Sequence, residues 1–420
     1  MHLAALRPVA EQLFADIRDL SHDGVGVTRD SYGHGESATA AHLCAFARRH
    51  GLVAEADRAA NVVFRLPQAP AGGPAIWAGS HIDSVPQGGN YDGLAGVVAG
   101  LLCLLARREA APGGGPAFEV LGLRGEESAW FGKAYMGSGA LLGRLQAADL
   151  ELRHRDTGAR LADCMQGAGA DLAAIAAGQP LFDRRRVRAY LELHIEQGPV
   201  MVQRQLPVAV VSGIRGNVRH GTIVCEGDAQ HSGAVPRELR HDAMFAVADL
   251  IMRLDAQWRA LLAEGADLVV TTGVVSTDAA EHSVSRIPGH VRFSFEARSQ
   301  CSQTLEAFYA LMRAQCQAVE TERGVRFVFD ARQTSAPATL DAGLSRLLAR
   351  SCEALSMPPV LLPSGAGHDA AQFANAGIPA AMLFVRNQHG SHNPHEAMDL
   401  DDFMLGTQAL DHAVAQLQMQ

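Results

Sequence analysis

The chain has no CxxC pair, no long basic run and no apolar stretch of membrane-spanning length. Each absence narrows what it can be. Its seven cysteines (Cys44, Cys103, Cys164, Cys225, Cys301, Cys316 and Cys352) are odd in number and scattered. That pattern argues against a disulfide framework and leads to the expectation of a reducing cytoplasm. The formal net charge is -9 and there is no long basic run, and phosphate-backbone contact needs extended clusters of Lys and Arg, so neither nucleic acid nor an anionic membrane surface is an expected partner. The most apolar stretch, Leu94 to Ala106, falls short of the roughly 20 residues that a bilayer requires. The first twenty residues carry acidic side chains and lack the basic, apolar, small-residue order of a signal peptide. No G-x-S-x-G elbow and no GxxxxGK[ST] loop occurs, so neither a serine nucleophile nor a phosphate cradle is indicated. Ser80 and Ser364 are not read as nucleophiles.

With 420 residues the chain exceeds what one compact core normally holds, so two domains are expected. Helical spacing covers about 8–20 and 36–50. The runs NVVFRL, AIWAGSHID, AFEVLGLRGEE and AYLELHIEQG then read as strands buried on both faces and separated by helical segments, which marks an α/β sheet. A helix from Gly93 to Glu109 is expected with Asp92 at its N-cap, followed by the turn-rich run 112–116. The middle of the chain reads differently. PVAVVSGI and HGTIVCEGDAQHSG, a helix, DLVVTTGVV and HVRFSFEAR, a second helix, and VRFVFDAR make a two-layer α+β unit. The predicted class is therefore α/β: a domain with a mixed sheet, 1–211 and 331–420, interrupted by a smaller α+β domain, 212–330. After the insertion the sequence reads as a helix over 341–354, the strand AAMLFV and a last helix.

The reactive side chains gather where apolar strands end. His81 and Asp83 follow AIWAG, Glu126 and Glu127 follow EVLGLR, and His194 and Glu196 close AYLELHIEQG. Sites in open α/β sheets lie at the carboxyl ends of strands, so these residues and Asp92 could share one rim, with the loop NQHGSHNPHE reaching it after AAMLFV. Imidazole and carboxylate suit Zn, Mn, Co or Ni in a hydrolytic site, and a carboxylate can bridge two ions. Each residue alone has a plainer reading: a surface histidine, or a solvated Glu-Glu turn.

The segments GSHIDSVPQGGNYDGLAGVVAG, GEESAWF, ELHIEQGPV, GDAQHSGAVP, LPSGAGHDA and SHNPHE occur in this order between about 79 and 396. Together they closely resemble the hydantoinase/carbamoylase family of amidases, within the dinuclear metallopeptidase superfamily that includes the aminoacylases. The resemblance implies two divalent ions per subunit. His81, Asp92 and His194 would hold the first; Asp92, Glu127 and His392 the second, with Asp92 as bridge. Asp83 would orient His81, and Glu126 would be the general base. His194 stands where aminoacylase- and peptidase-type relatives usually carry a carboxylate, which implies cleavage of ureido groups in N-carbamoyl amino acids, ureidopropionate, allantoate or ureidoglycolate. An aminoacylase or dipeptidase of the same superfamily is the alternative. The inserted domain would be a lid that also forms a homodimer, and His231 would reach across it to the substrate carbonyl. The small-molecule substrate would meet Arg298, Asn217, His282, Gln197 and Gly367.

Two places depart from the family pattern. Asn217 is followed by Val218 where a Gln-Arg pair is more usual. In HSVSRIPG, His282 and Ser285 replace two asparagines, which leaves a preserved pocket and an altered substrate equally open. Trp130 is either a pocket wall or a packing residue.

Overall fold

The computed structural model of the chain describes residues 3–69, 72–108 and 115–419. Glu109, the expected end of one helix, and residues 112–114 of the turn-rich run lie outside the described residues. The chain divides into two compact units, Met1–Ile214 with Thr339–Gln420, and Arg215–Ala338.

The larger unit is built on an eight-stranded mixed sheet. Its order is Val53–Ala56, Val62–Arg65, Ala117–Leu123, Ala75–His81, Val187–Ile195, Ala380–Val385, Val208–Ile214 and Leu361–Ser364. The four central strands, from Ala117–Leu123 through Ala380–Val385, run parallel. Parallel strands cover both faces with helices, and so Ala75–His81 and Ala117–Leu123 are buried at every position. Between them runs the helix Leu94–Arg107, whose residues from Leu94 to Leu105 are all buried. An apolar surface all round marks a helix enclosed by other elements, here the sheet and the C-terminal helix Leu400–Gln418. Because the central strands are parallel, their carboxyl ends share one edge, and the loops that follow them meet there.

The border of the insertion differs from the sequence expectation at both ends. Val208–Ile214 is not the first strand of the inserted unit; it pairs antiparallel with Ala380–Val385 and parallel with Leu361–Ser364. At the other end, Gln333–Ser335 still pairs with Gly216–Glu226, which carries the unit beyond 330. Leu361–Ser364 itself is a strand that the sequence reading missed. It is short and starts with an exposed leucine, so it has little apolar signal.

The smaller unit has one antiparallel sheet. Gly216–Glu226 and His290–Ser299 form its centre, with Val275–Ser276, Val269–Thr271, Arg326–Phe329 and Gln333–Ser335 alongside. The helices Ala243–Ala263 and Ser302–Arg323 bury one face each in its core, around Phe293, Phe295 and Phe308. The first begins where the Asp242 carboxylate accepts from the Met244 and Phe245 amides, and the second ends at Gly324 with φ +65°. No helix among the described residues is long and apolar enough to cross a membrane.

Candidate metal centre at the carboxyl edge of the sheet

His81 is the last residue of its strand and His194 the penultimate residue of the neighbouring one, so both rings reach the shared edge. Glu126 and Glu127 follow the strand Ala117–Leu123, and His392 lies in the loop after Ala380–Val385. The chain returns to the edge through Asp92 and Gly93. Asp92 does not cap the helix as expected. Gly93 takes the N-cap position with φ +67°, which leaves the Asp92 carboxylate free to turn toward the histidines. A side chain at Gly93 would also meet the His81 ring at 2.5 Å.

Donor atoms of His81, Asp92 and His194 lie within 4.8 Å of one another, and so do those of Asp92, Glu127 and His392. Asp92 belongs to both groups. Its Oδ1 stands 3.0 Å from His194 Nε2 and 3.4 Å from His81 Nε2. Its Oδ2 lies 3.4 Å from His392 Nε2, which is 3.2 Å from Glu127 Oε1. The rings are oriented from behind. His194 Nδ1 donates to the Ile195 carbonyl at 2.9 Å, while its Nε2 accepts from the Gly93 amide at 3.2 Å. His81 Nδ1 faces the Asp83 carbonyl at 3.1 Å and Asp83 Oδ1 at 3.3 Å. With Nδ1 carrying the proton, each Nε2 is an acceptor beside Asp92, that of His194 shared with the Gly93 amide.

The residues fit a divalent ion. Asp92 Oδ1 is buried and has no hydrogen-bond partner among the described residues, although imidazole nitrogens surround it. A buried carboxylate oxygen facing imidazole lone pairs needs positive charge between them. The electrostatics point the same way. Burial works against charge on Asp92, yet His194, His392 and His81 hold its carboxyl well below the usual range. The hydrogen bond to Asp92 pushes His392 up to about 10. These carboxylates favour positive charge at the ring nitrogens, whether carried as protons or as metal ions.

Asp83 does more than hold His81. Its Oδ1 accepts from the Glu126 amide at 3.0 Å, and its Oδ2 from the Glu127 amide at 3.1 Å and from Ser31 Oγ at 2.6 Å. One buried carboxylate thus sets both the histidine and the Glu126–Glu127 turn. The Glu126 carboxylate accepts no hydrogen bond from the described residues. Burial pushes its pKa well above the usual range, with His81 opposing and Glu127 and Asp369 adding to the push. A buried carboxyl with raised proton affinity and no fixed partner can take up a proton and release it.

Gln197 sits inside the cluster. Its Nε2 donates to Asp92 Oδ2 at 2.9 Å and lies 3.4 Å from His392 Nε2, so its amide nitrogen is engaged by the Asp92 carboxylate. Gly367 lies under the Tyr135 hydroxyl, 1.6 Å from where a Cβ would stand. Trp130 donates to the Ser84 carbonyl at 2.7 Å and stacks on His154, a packing role. Ser80 Oγ donates to Glu192, and Ser364 Oγ to the Ala366 carbonyl. Glu196 is turned away, accepting from the Val200 and Met201 amides.

The remaining expected contacts lie on the smaller unit. Asn217 and Arg298 are paired across two strands. The Arg298 fork is engaged by Glu296, with Nε 3.0 Å from Oε2. His231 is exposed and stands opposite Arg286 in a two-stranded ladder, which joins GDAQHSG to the divergent HSVSRIPG segment. His282 Nε2 lies 2.6 Å from Thr277 Oγ1.

Several residues of the centre carried no assigned role in the sequence reading. Glu396 Oε1 accepts from the Tyr91 amide at 2.7 Å and the Asp92 amide at 3.2 Å. Its Oε2 accepts from Ser391 Oγ at 3.1 Å, and the Ser391 hydroxyl also meets Asp92 Oδ2. Both residues lie in SHNPHE, so the motif held the signal without the role. Behind His194, the His368 ring packs edge-on at 4.4 Å between centroids, and Glu192, His194 and His368 form a further donor group. Burial and the neighbouring Glu192 push the Asp369 carboxyl up to about 7.

Fold and donor set define the class: a metallopeptidase-type α/β domain with an inserted α+β unit. The chain belongs to Peptidase family M20/M25/M40, whose profile matches residues 77–416. It is an amidohydrolase acting on C–N bonds of linear amides. It is similar to an N-carbamoyl-L-amino acid amidohydrolase of Geobacillus stearothermophilus, 33% identical over 97% of this chain and 98% of that protein. It is also similar to an allantoate amidohydrolase of Bacillus subtilis, 31% identical over 86% of this chain and 85% of the relative. A crystal structure of a hydantoinase/carbamoylase family amidase from Burkholderia ambifaria superposes with a TM-score of 0.84 at 27% identity, covering 100% of this chain and 98% of that one. The resemblance read from the six motifs is borne out.

Proposed function

We propose that this amidohydrolase is metal-dependent and cleaves a linear ureido group, with N-carbamoyl amino acids as the first substrate class and allantoate-like ureido acids as the second. The observation that carries the proposal is the pair of donor groups sharing Asp92, buried apart from the exposed His392, with the buried Glu126 carboxylate beside them. The names of the similar amidohydrolases support the substrate classes. His81, Asp92 and His194 would hold one divalent ion, and Asp92, Glu127 and His392 the other. When bound, such ions supply Lewis-acid polarisation of a carbonyl and a more acidic water.

The chain's own residues do the rest. Asp83 holds the His81 ring and the Glu126 backbone in fixed relation. Glu126 takes a proton from the attacking water and returns it to the leaving nitrogen. The bond from the ureido carbon to the leaving nitrogen breaks, and the carbamic acid so formed loses its second nitrogen spontaneously. One water is consumed for each N-carbamoyl amino acid, and the amino acid, ammonia and carbon dioxide are released. Gln197 steadies Asp92 through its amide nitrogen.

The inserted unit is proposed as the lid and as the contact for a homodimer, with His231 and Arg298 as its substrate-facing groups. The exposed Phe245 and Met252, seven residues apart on the helix Ala243–Ala263, support a face made for a second copy. Arg298 would have to exchange Glu296 for a substrate carboxylate. Mass measurement in solution tests the dimer; a monomer at micromolar concentration would remove it.

The decisive experiment is ammonia release from a panel of N-carbamoyl amino acids, ureidopropionate, allantoate and ureidoglycolate. It is run after chelation and after reconstitution with Zn, Mn, Co or Ni. Ureido hydrolysis that vanishes on chelation and returns with metal is expected. Release of amino acids only from N-acyl amino acids or dipeptides would replace the proposal with an aminoacylase or dipeptidase.

A further inference from the structure

A concavity of about 570 Å³ opens in the larger unit, where Ala75–His81, Val187–Ile195 and Ala380–Val385 begin. It lies at the opposite ends of these strands from the candidate metal centre. Arg188, on its wall, precedes His194 by six residues on one strand, about 20 Å at the usual rise.

Three of its lining side chains are Arg188, Arg346 and Arg350, all exposed. Arg346 and Arg350 are one turn apart on the helix Ala342–Ala354 and so share a face, where like charges weaken a helix. None of the three guanidinium groups has a carboxylate partner or a hydrogen bond among the described residues. Their neighbours differ. Arg184 donates to the carbonyls of Ala376 and Leu142, Arg185 pairs with Asp183, and Arg186 pairs with Glu119 at 2.6 Å. In the run RRRVR only Arg188 is left for the cavity. The acidic lining residue, Asp341, is committed to its helix, accepting from the Leu344 amide at 2.8 Å.

We propose that this cavity binds a phosphorylated small molecule. Three guanidinium groups against one carboxylate leave two positive charges, which match the dianion of a phosphate monoester. A guanidinium fork meets phosphate oxygens with two parallel hydrogen bonds. The volume is in the range of small-molecule pockets, about 300–1,000 Å³, and exceeds what a bare phosphate fills. Ile76, Pro379 and Leu417 supply apolar surface for the organic part. The site is independent of the ureido reaction and requires no residue of the metal centre.

Adenosine monophosphate and inorganic pyrophosphate serve as probes. They are titrated calorimetrically into the full-length protein of measured metal content, at constant ionic strength. Saturable binding of adenosine monophosphate is expected. It should weaken by roughly tenfold or more in the double variant Arg346→Ala/Arg350→Ala and also in Arg188→Ala. All three side chains are exposed, and an unchanged thermal midpoint and circular dichroism spectrum would verify that the variants fold. No saturable binding of either probe at millimolar concentration would overturn the proposal. Binding of undiminished strength in the folded double variant would overturn it as well, because the phosphate would then be held elsewhere, including at the metal centre.

Discussion

Glu396 offers the sharpest test of how the centre is held. Its Oε1 accepts from the amides of Tyr91 and Asp92, and its Oε2 from Ser391, whose hydroxyl also meets the Asp92 carboxylate. It therefore ties the segment that carries Asp92 to the loop that carries His392. Glu396→Ala removes the acceptor and leaves two amides without their partner. Each such orphan costs about 1–3 kcal/mol if it stays buried. If about 1.4–2.8 kcal/mol of that reaches the position of Asp92, metal affinity falls about 10–100-fold, the range usual for groups that orient ligands. Glu396→Gln keeps a carbonyl oxygen for both amides and should stay within a fewfold of the unmodified protein. The assay is a chelator-competition titration on all three proteins, with denaturant unfolding in parallel. If Glu396→Ala lowers unfolding stability but leaves metal affinity within about twofold, then Glu396 braces the loop alone and the reasoning fails.

Three further outcomes are expected. Glu126→Gln should keep its metal by elemental analysis and lose turnover by about 10²–10⁴-fold, as removal of a general base does; near-normal rates would end that role. Gly93→Ala should lose metal, because it forces φ +67° on an L residue, about 1–2 kcal/mol, and drives a methyl into the His81 ring; retention of full metal affinity would contradict the close approach. Burial, with the neighbouring Glu192 adding to it, raises the Asp369 carboxyl to about 7 from an ordinary 3.8. A raised pKa stabilises the fold in acid, and that contribution is lost as pH climbs through about 7. Between about pH 5.5 and 7.5 the loss is about 2 kcal/mol. Asp369→Asn should remove this slope in denaturant titrations, and an identical slope in the variant would refute it.

The sequence by itself determined which side chains reach the edge. His81, Glu127 and His194 could be placed at one rim because each closes an apolar run, and an apolar run between helical segments is a buried parallel strand. Local pattern also separated the inserted unit, where the order of strands and helices changes. What it could not decide depends on partners distant in the chain. Val208–Ile214 is a strand by composition, but only hydrogen bonds to Ala380–Val385 and Leu361–Ser364 assign it to the larger sheet. Asp92 read as a helix cap; the positive φ of Gly93 turned it inward instead. Glu396 grips the Asp92 amide across 304 positions, and Gln197 reaches Asp92 across 105, distances over which no spacing rule operates. Which side chains stand where the central strands end was local information. The tertiary structure decided how they are held, because the buried carboxylates of Asp83, Asp92 and Glu396 find their donors only when remote segments close on one another.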